Sequence, residues 1–200
     1  EESLSSYFNL KYENEALISE NIALKQDIAK LKANISRFTD TTDISVLRLK
    51  EADEYRLIPG RVIKNSVIHV RNYMTLNIGK ADGVKPEMGV ANDKGIVGVV
   101  SNVSDHYSVV IPVLNPEVRF SCKIKSTGTS GSLIWDEADR RYAMLEEIPP
   151  YVHVNVGDTI VTSGYSSIFP EGLMVGTVEE FDFGEEANFL QLKVKLAVRF

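Results

Sequence analysis

The sequence predicts a mainly β chain, with an N-terminal coiled-coil helix followed by two small β-barrels. Three observations predict it. A sustained heptad runs from Leu10 to Phe38. From Leu57 onward, short Val- and Ile-rich runs alternate with Gly, Asn, Asp and Pro turns. Within that region two segments echo one another, each with a turn, a short strand, a loop and a strand carrying an internal glycine.

The heptad sets Leu10, Leu17, Leu24, Leu31 and Phe38 seven apart, with Asn14, Asn21, Ile28 and Ile35 between them. Seven of these nine a and d positions are apolar, the pattern of a supercoiled helix. Ile at the later a positions with Leu at d favours two parallel strands, and Asn at a fixes register at some cost in stability. The flanking charges agree, since g-to-e pairing in a parallel dimer would join Glu20 with Lys25 and Asp27 with Lys32. A single amphipathic helix packed on its own domain would show a broader apolar stripe and leave the two Asn unexplained. The expected state is a parallel homodimer through these nine positions, over a rod of about 48 Å. Thr39–Asp43 ends the helix, because its short polar side chains compete for backbone hydrogen bonds.

Two hundred residues with 44% hydrophobic content bound the chain to one or two domains with a real core. The net charge of -6 and the absence of a basic, aromatic-interleaved patch argue against nucleic acid. The single cysteine, Cys122, excludes an intrachain disulfide. It shares a strand face with Val118, Phe120 and Ile124 and reads as a buried hydrophobe rather than a reactive thiol. No His or Cys pair has metal-ligand spacing, and no cofactor motif is found; Gly128–Gly131 lacks the Lys of a phosphate loop. Asp136, Glu137 and Asp139 follow Trp135 as a polar hairpin tip. No apolar run reaches membrane-spanning length. The chain starts at Glu1 without Met, so a single-pass anchor is expected upstream.

The expected organisation is a coiled coil over 1–43, a connector over 44–56, one barrel over 73–125, and a second, discontinuous barrel from 57–72 and 126–200. Eleven candidate strands are read, including Gly60–Lys64, Ser66–Arg71, Tyr73–Ile78, Val118–Lys125, Thr159–Thr162 and Leu173–Phe183. The last, Phe189–Phe200, puts Leu190, Leu192, Val194, Leu196, Val198 and Phe200 on one face. A long strand of this kind needs a neighbour on its open edge, and the strand near Pro59–Asn65 is expected to supply it. The echo pairs Gly83–Val90 leading into Gly95–Val100 with Val156–Val161 leading into Gly172–Val178. Glycine inside a strand marks a bulge or bend of the kind that closes small barrels.

Val156-Gly-Asp-Thr-Ile-Val-Thr-Ser-Gly164, Phe169-Pro-Glu-Gly172 and Val175-Gly-Thr-Val178 together resemble the signature of the rod-shape-determining protein MreC family. Leu57-Ile-Pro-Gly-Arg-Val62, Leu76–Val84 and Gly95-Ile-Val-Gly98 are similar to it as well. The resemblance implies a membrane-tethered dimeric scaffold on the periplasmic side of the bacterial cytoplasmic membrane. It implies a double barrel like the trypsin-type fold but without catalysis. It also implies partners in wall elongation: a penicillin-binding transpeptidase, MreD and, indirectly, the actin-like MreB filament.

Because that double barrel looks like a protease fold, catalysis must be tested on the residues. Ser163 lacks the Gly-Asp-Ser-Gly context, and Gly164–Ile168 lacks the second glycine of a nucleophile elbow. His69, His106 and His153 are isolated. No catalytic residue is assigned. The loop Ser163–Pro170 offers Tyr165, Ile168 and Phe169 as candidate partner-binding residues, with a barrel plug as the favoured alternative for Phe169. A double-barrel serine hydrolase and a periplasmic efflux-type adaptor are the competing readings. The adaptor needs two antiparallel helices, and only one heptad helix is present.

Overall fold

The computed structural model describes residues 14–28, 57–66, 71–183 and 189–200. The chain divides into two units, Glu1–Pro59 and Gly60–Phe200. In the first, residues 14–28 form one α-helix, α1. No Gly or Pro interrupts it, and Ala16, Leu17, Glu20, Leu24 and Lys25 are strong helix formers. No helix among the described residues is long and apolar enough to cross a membrane.

Among the described residues, the regular elements of the second unit are strands apart from a 3₁₀ turn at Lys80–Asp82. Its first part is an antiparallel five-stranded sheet of β1 (Val62–Asn65), β2 (Met74–Leu76), β3 (Gly89–Ala91), β4 (Ile96–Val103) and β5 (Ser108–Pro112), in the order β1-β2-β5-β4-β3. Its second part is a closed barrel of β6 (Phe120–Ile124), β7 (Ser130–Ile134), β8 (Tyr142–Ile148), β9 (Thr159–Thr162), β10 (Met174–Phe183) and β11 (Leu190–Leu196). The strands run β10-β11-β8-β7-β6-β9 around it.

Period-two alternation fills the barrel. Phe120, Cys122 and Ile124 of β6 point inward, as do Leu190, Leu192 and Val194 of β11, while Lys193 and Lys195 point outward. Ile96, Val99 and Val113 from the sheet side join the same apolar cluster, so sheet and barrel share one core. Two buried asparagines hold the seam before β6. Asn72 Nδ2 donates to Leu114 O at 2.8 Å, and Asn115 Nδ2 donates to Asn72 O at 3.2 Å.

The mainly β class and the order of helix followed by two β units hold. The strand assignments need two corrections. β1 pairs with β2, Val62 opposite Leu76, and does not join the second barrel. The open edge it was expected to cover does not exist, since β8 and β10 already flank β11. Local pairing between strands a few residues apart also closes a shorter loop at lower entropic cost. Next, Phe120–Ile124 belongs to the closed barrel, between β7 and β9, rather than to the first β unit. Its apolar face has the barrel interior to fill. The first β unit is a five-stranded sheet in the described residues. Of the strand expected at Ser66–Arg71, residues 67–70 lie outside the described residues, as does the connector 44–56.

The sequence echo is realised in hydrogen bonds. Glu87 N donates to Val100 O at 2.8 Å and Val100 N to Met88 O at 2.8 Å. In the second copy Gly157 N donates to Val178 O at 2.8 Å and Val178 N to Asp158 O at 2.9 Å. The register slips at Val97 and Ser101 in β4, and at Val175 and Glu179 in β10. Each bulge pair brackets its glycine. A Cβ on Gly98 would lie 2.2 Å from Ile111 O, and one on Gly176 would lie 2.2 Å from Lys195 O. The neighbouring strand therefore crosses too closely for any side chain.

Candidate functional site: helix stripe, barrel loop and end groove

On α1, Asn14, Leu17, Asn21, Leu24 and Ile28 lie along one stripe. In the single chain Leu17, Leu24 and Ile28 are 57%, 53% and 49% exposed, and no described residue covers the stripe. Asn21 Nδ2 donates to Leu17 O, one turn back, at 3.3 Å. The other heptad positions, Leu10, Leu31, Ile35 and Phe38, lie outside the described residues.

The Thr162-Ser163-Gly164 element turns out to be a fastening. Thr162 Oγ1 donates to Pro170 O at 2.6 Å and accepts from Leu173 N at 2.9 Å. Ser163 Oγ lies 2.7 Å from Ser121 Oγ and accepts from Tyr165 N at 3.2 Å. Together they tie the loop 163–172 to β6 through Ser121 and to the end of β9 through Thr162, and an ion pair of Lys123 with Glu171 ties it further. Ser163 thus has a serine, not a histidine, beside it. His106 and His153 are exposed on other loops, and His69 lies outside the described residues. Among the described residues no group of three His, Cys, Asp or Glu could hold a metal ion.

The three loop candidates separate. Phe169 is buried, its ring 6.1 Å from that of Phe120 and seated against Gly89 of β3. It is packed between sheet and barrel, with 4% of its surface exposed. Ile168 is half-buried against the core, whereas Tyr165 is 81% exposed. Cys122 is fully buried, and burial pushes its thiol up to about 12, well above its ordinary value of 9.0. In the acidic hairpin, the hydrogen bond from Arg141 holds the Asp139 carboxyl down to about 2. Trp135 Nε1 donates to Asp139 O at 3.0 Å, so this hairpin is held by local bonds.

One feature escaped the sequence reading. At one end of the barrel a groove of about 330 Å³ opens between Pro150, Val152 and Val154 on one side and Phe181, Phe183 and Leu190 on the other. Its signal was present as Phe181 and Phe183 at a spacing of two, where β10 continues beyond its last pairing with β9.

The described chain is thus a helix leading to a two-part β protein, in which no described serine, histidine or carboxylate is assembled into a catalytic set. Residues 62–200 match the family described as rod shape-determining protein MreC, barrel core, and the chain belongs to that family. A curated relative, the cell shape-determining protein MreC of Listeria monocytogenes, is 25% identical over 168 residues, covering 82% of this chain and 56% of its own length. The chain therefore spans about half the length of that relative. Among solved structures, MreC of Listeria monocytogenes has a TM-score of 0.61 at 24% identity, covering 90% of each chain. A complex of penicillin-binding protein PBP2 and MreC from Helicobacter pylori has a TM-score of 0.58 at 17% identity, covering 70% of this chain and 87% of that one. At such identities the structural likeness establishes the fold.

Proposed function

We propose that the chain is the extracytoplasmic part of a non-enzymatic, membrane-tethered scaffold that maintains bacterial cell shape. It dimerises and recruits peptidoglycan synthesis proteins. The observation that carries this reading is the match of residues 62–200 to the MreC barrel core. The exposed apolar stripe of α1 supports the dimer, because an uncovered Leu/Ile row on a helix needs a partner to leave water. The Helicobacter pylori complex supports a penicillin-binding transpeptidase as partner; MreD and, indirectly, MreB complete the expected set. Dimerisation through the coil would present two copies of the β tail and so raise avidity without new contacts. The scaffold would sit on the periplasmic side of the cytoplasmic membrane, held by an upstream single-pass helix. Tyr165 and Ile168 are proposed as partner-facing residues of the barrel loop.

The test is capture of a penicillin-binding transpeptidase by the chain, alongside its association state by analytical ultracentrifugation. Leu17→Ala with Leu24→Ala should weaken the dimer by ~2–5 kcal/mol per site. Ser163→Ala should leave capture and cell shape intact, whereas Tyr165→Glu should weaken capture without lowering the melting temperature. Loss of shape maintenance on Ser163→Ala with an unchanged melt would reject the scaffold in favour of an enzyme.

A further inference from the structure

The groove at the barrel end lies beside a strand edge that no strand covers among the described residues. β9 pairs with β10 only over Met174–Thr177, and the last bonds on that side join Val178 to Gly157 and Asp158. β11 continues along the opposite side as far as Phe183. Over Glu179–Phe183, then, β10 has a strand on one edge and, among the described residues, none on the other. An open edge is a template for another strand. Natural edges are often blunted by charge; this one carries the carboxylates Glu179, Glu180 and Asp182, yet between them it also presents Phe181 and Phe183, which are 44% and 57% exposed.

We propose that this edge takes up an extended segment of a protein partner as an added strand, one whose sequence alternates a large apolar residue with Lys or Arg. The proposal rests on the scaffold reading and names the surface that such a scaffold would use. Size limits the occupant. A groove of about 330 Å³ has room for the side chains of a short extended segment. Alternation then fixes the pattern, because every second side chain of an added strand falls on the groove face, between Phe183 and Val152. Charge decides the rest. Glu179 and Glu180 are already paired with Lys195 at 3.6 Å and Lys193 at 3.2 Å. Asp182 lines the groove together with His153 and forms no ion pair among the described residues, its Oδ1 accepting from Phe183 N at 2.7 Å. A basic side chain on the incoming strand would meet that carboxylate, in a chain of net charge -6.

The experiment is fluorescence anisotropy of the full chain with a labelled Lys-Phe-Lys-Val-Lys-Leu peptide. Its controls are a block isomer, Lys-Lys-Lys-Phe-Val-Leu, a Glu-alternating analogue, and a form with N-methylated backbone amides. The alternating basic peptide should bind at least tenfold more tightly than each control. Phe183→Ser should cost at least tenfold, and Asp182→Lys should reverse the preference for Lys over Glu. Both positions are exposed, so a thermal melt will show the barrel intact. Equal binding of the block isomer or the N-methylated peptide, or full binding by Phe183→Ser, would overturn the added strand. So would self-association of the chain that Phe183→Ser abolishes while no peptide binds, since the occupant would then be a second copy. Transpeptidase capture that persists without peptide binding would leave the scaffold standing and remove the groove. Peptide binding without such capture would do the reverse.

Discussion

β3–β4 of the sheet and β9–β10 of the barrel are two copies of one bulged hairpin placed in different surroundings. Both have a Val before the crossing glycine, a bulge on either side of it, and two bonds tying the preceding turn to Val100 or Val178. The third strand matches as well, with Val110 opposite Val100 and Val194 opposite Val178, both fully buried. What differs is the far edge of the first strand. β9 also pairs with β6, Cys122 opposite Thr162, and that pairing closes the barrel. β3 pairs only with β4, and Gly89 lies against Phe169 and Ile168 O of the barrel loop. The same local unit therefore serves in a closed barrel or in an open sheet. The choice lies in what reaches its edge, a strand in one case and a loop capped by an aromatic ring in the other.

The largest expected effect tests whether the two copies are one cooperative body. Leu192→Ala in the barrel should lower stability by ~2–5 kcal/mol. Val110→Ala in the sheet should cost less, since fewer methyl groups leave the core. Both should shift a single denaturant transition, because Ile96 and Val99 share the barrel's cluster. Two separated transitions would show the sheet and barrel to be independent.

Next in size are the crossing glycines. Gly98→Ala and Gly176→Ala should each cost ~1–3 kcal/mol by forcing strands apart, and by similar amounts if the copies are equivalent. A harmless Gly98→Ala would show that the sheet tolerates a separation the closed barrel cannot.

The copies also differ in alkaline response. Only β6, in the barrel, carries a cysteine. Its thiol keeps its proton in the fold to about pH 12, whereas the unfolded thiol ionises near 9.0. Its contribution to stability is whole below pH 9.0 and is lost as pH rises from there towards about 12. Cys122→Ala should flatten that part of the stability profile relative to the parent chain. In the native state at pH 8 the thiol should resist a disulfide reagent. Rapid labelling without unfolding would contradict its burial.

The smallest effect concerns the turn. Glu87 has φ of 67° where its counterpart Gly157 has 91°, a region costly for residues bearing a Cβ. Glu87→Gly should raise stability by up to ~1 kcal/mol, the relief of strain being partly offset by the greater freedom of glycine when unfolded. Gly157→Ala should lower it. A fall in melting temperature for Glu87→Gly would mean that the Glu87 side chain contributes more than its backbone strain costs.

Local pattern alone determined much of this protein. The 3.6-residue stripe of α1, the two-residue alternation of β6 and β11 and the inward Cys122 follow from which side chains must leave water. The echo around Gly98 and Gly176 was legible too, since a strand crossing that excludes a Cβ demands glycine in each copy. Strand partnership was not legible. Whether Val62–Asn65 would pair with Met74–Leu76 or with the barrel depended on which edges were already taken, a property of the assembled sheet and of no single segment. Thr162 and Ser163 could be read as a motif, yet only the approach of Ser121 and Pro170, distant in sequence or across a loop, made them a fastening. The groove beside Phe181 and Phe183 arises because β10 outruns β9, and two strands' relative lengths and register are settled only when the barrel closes.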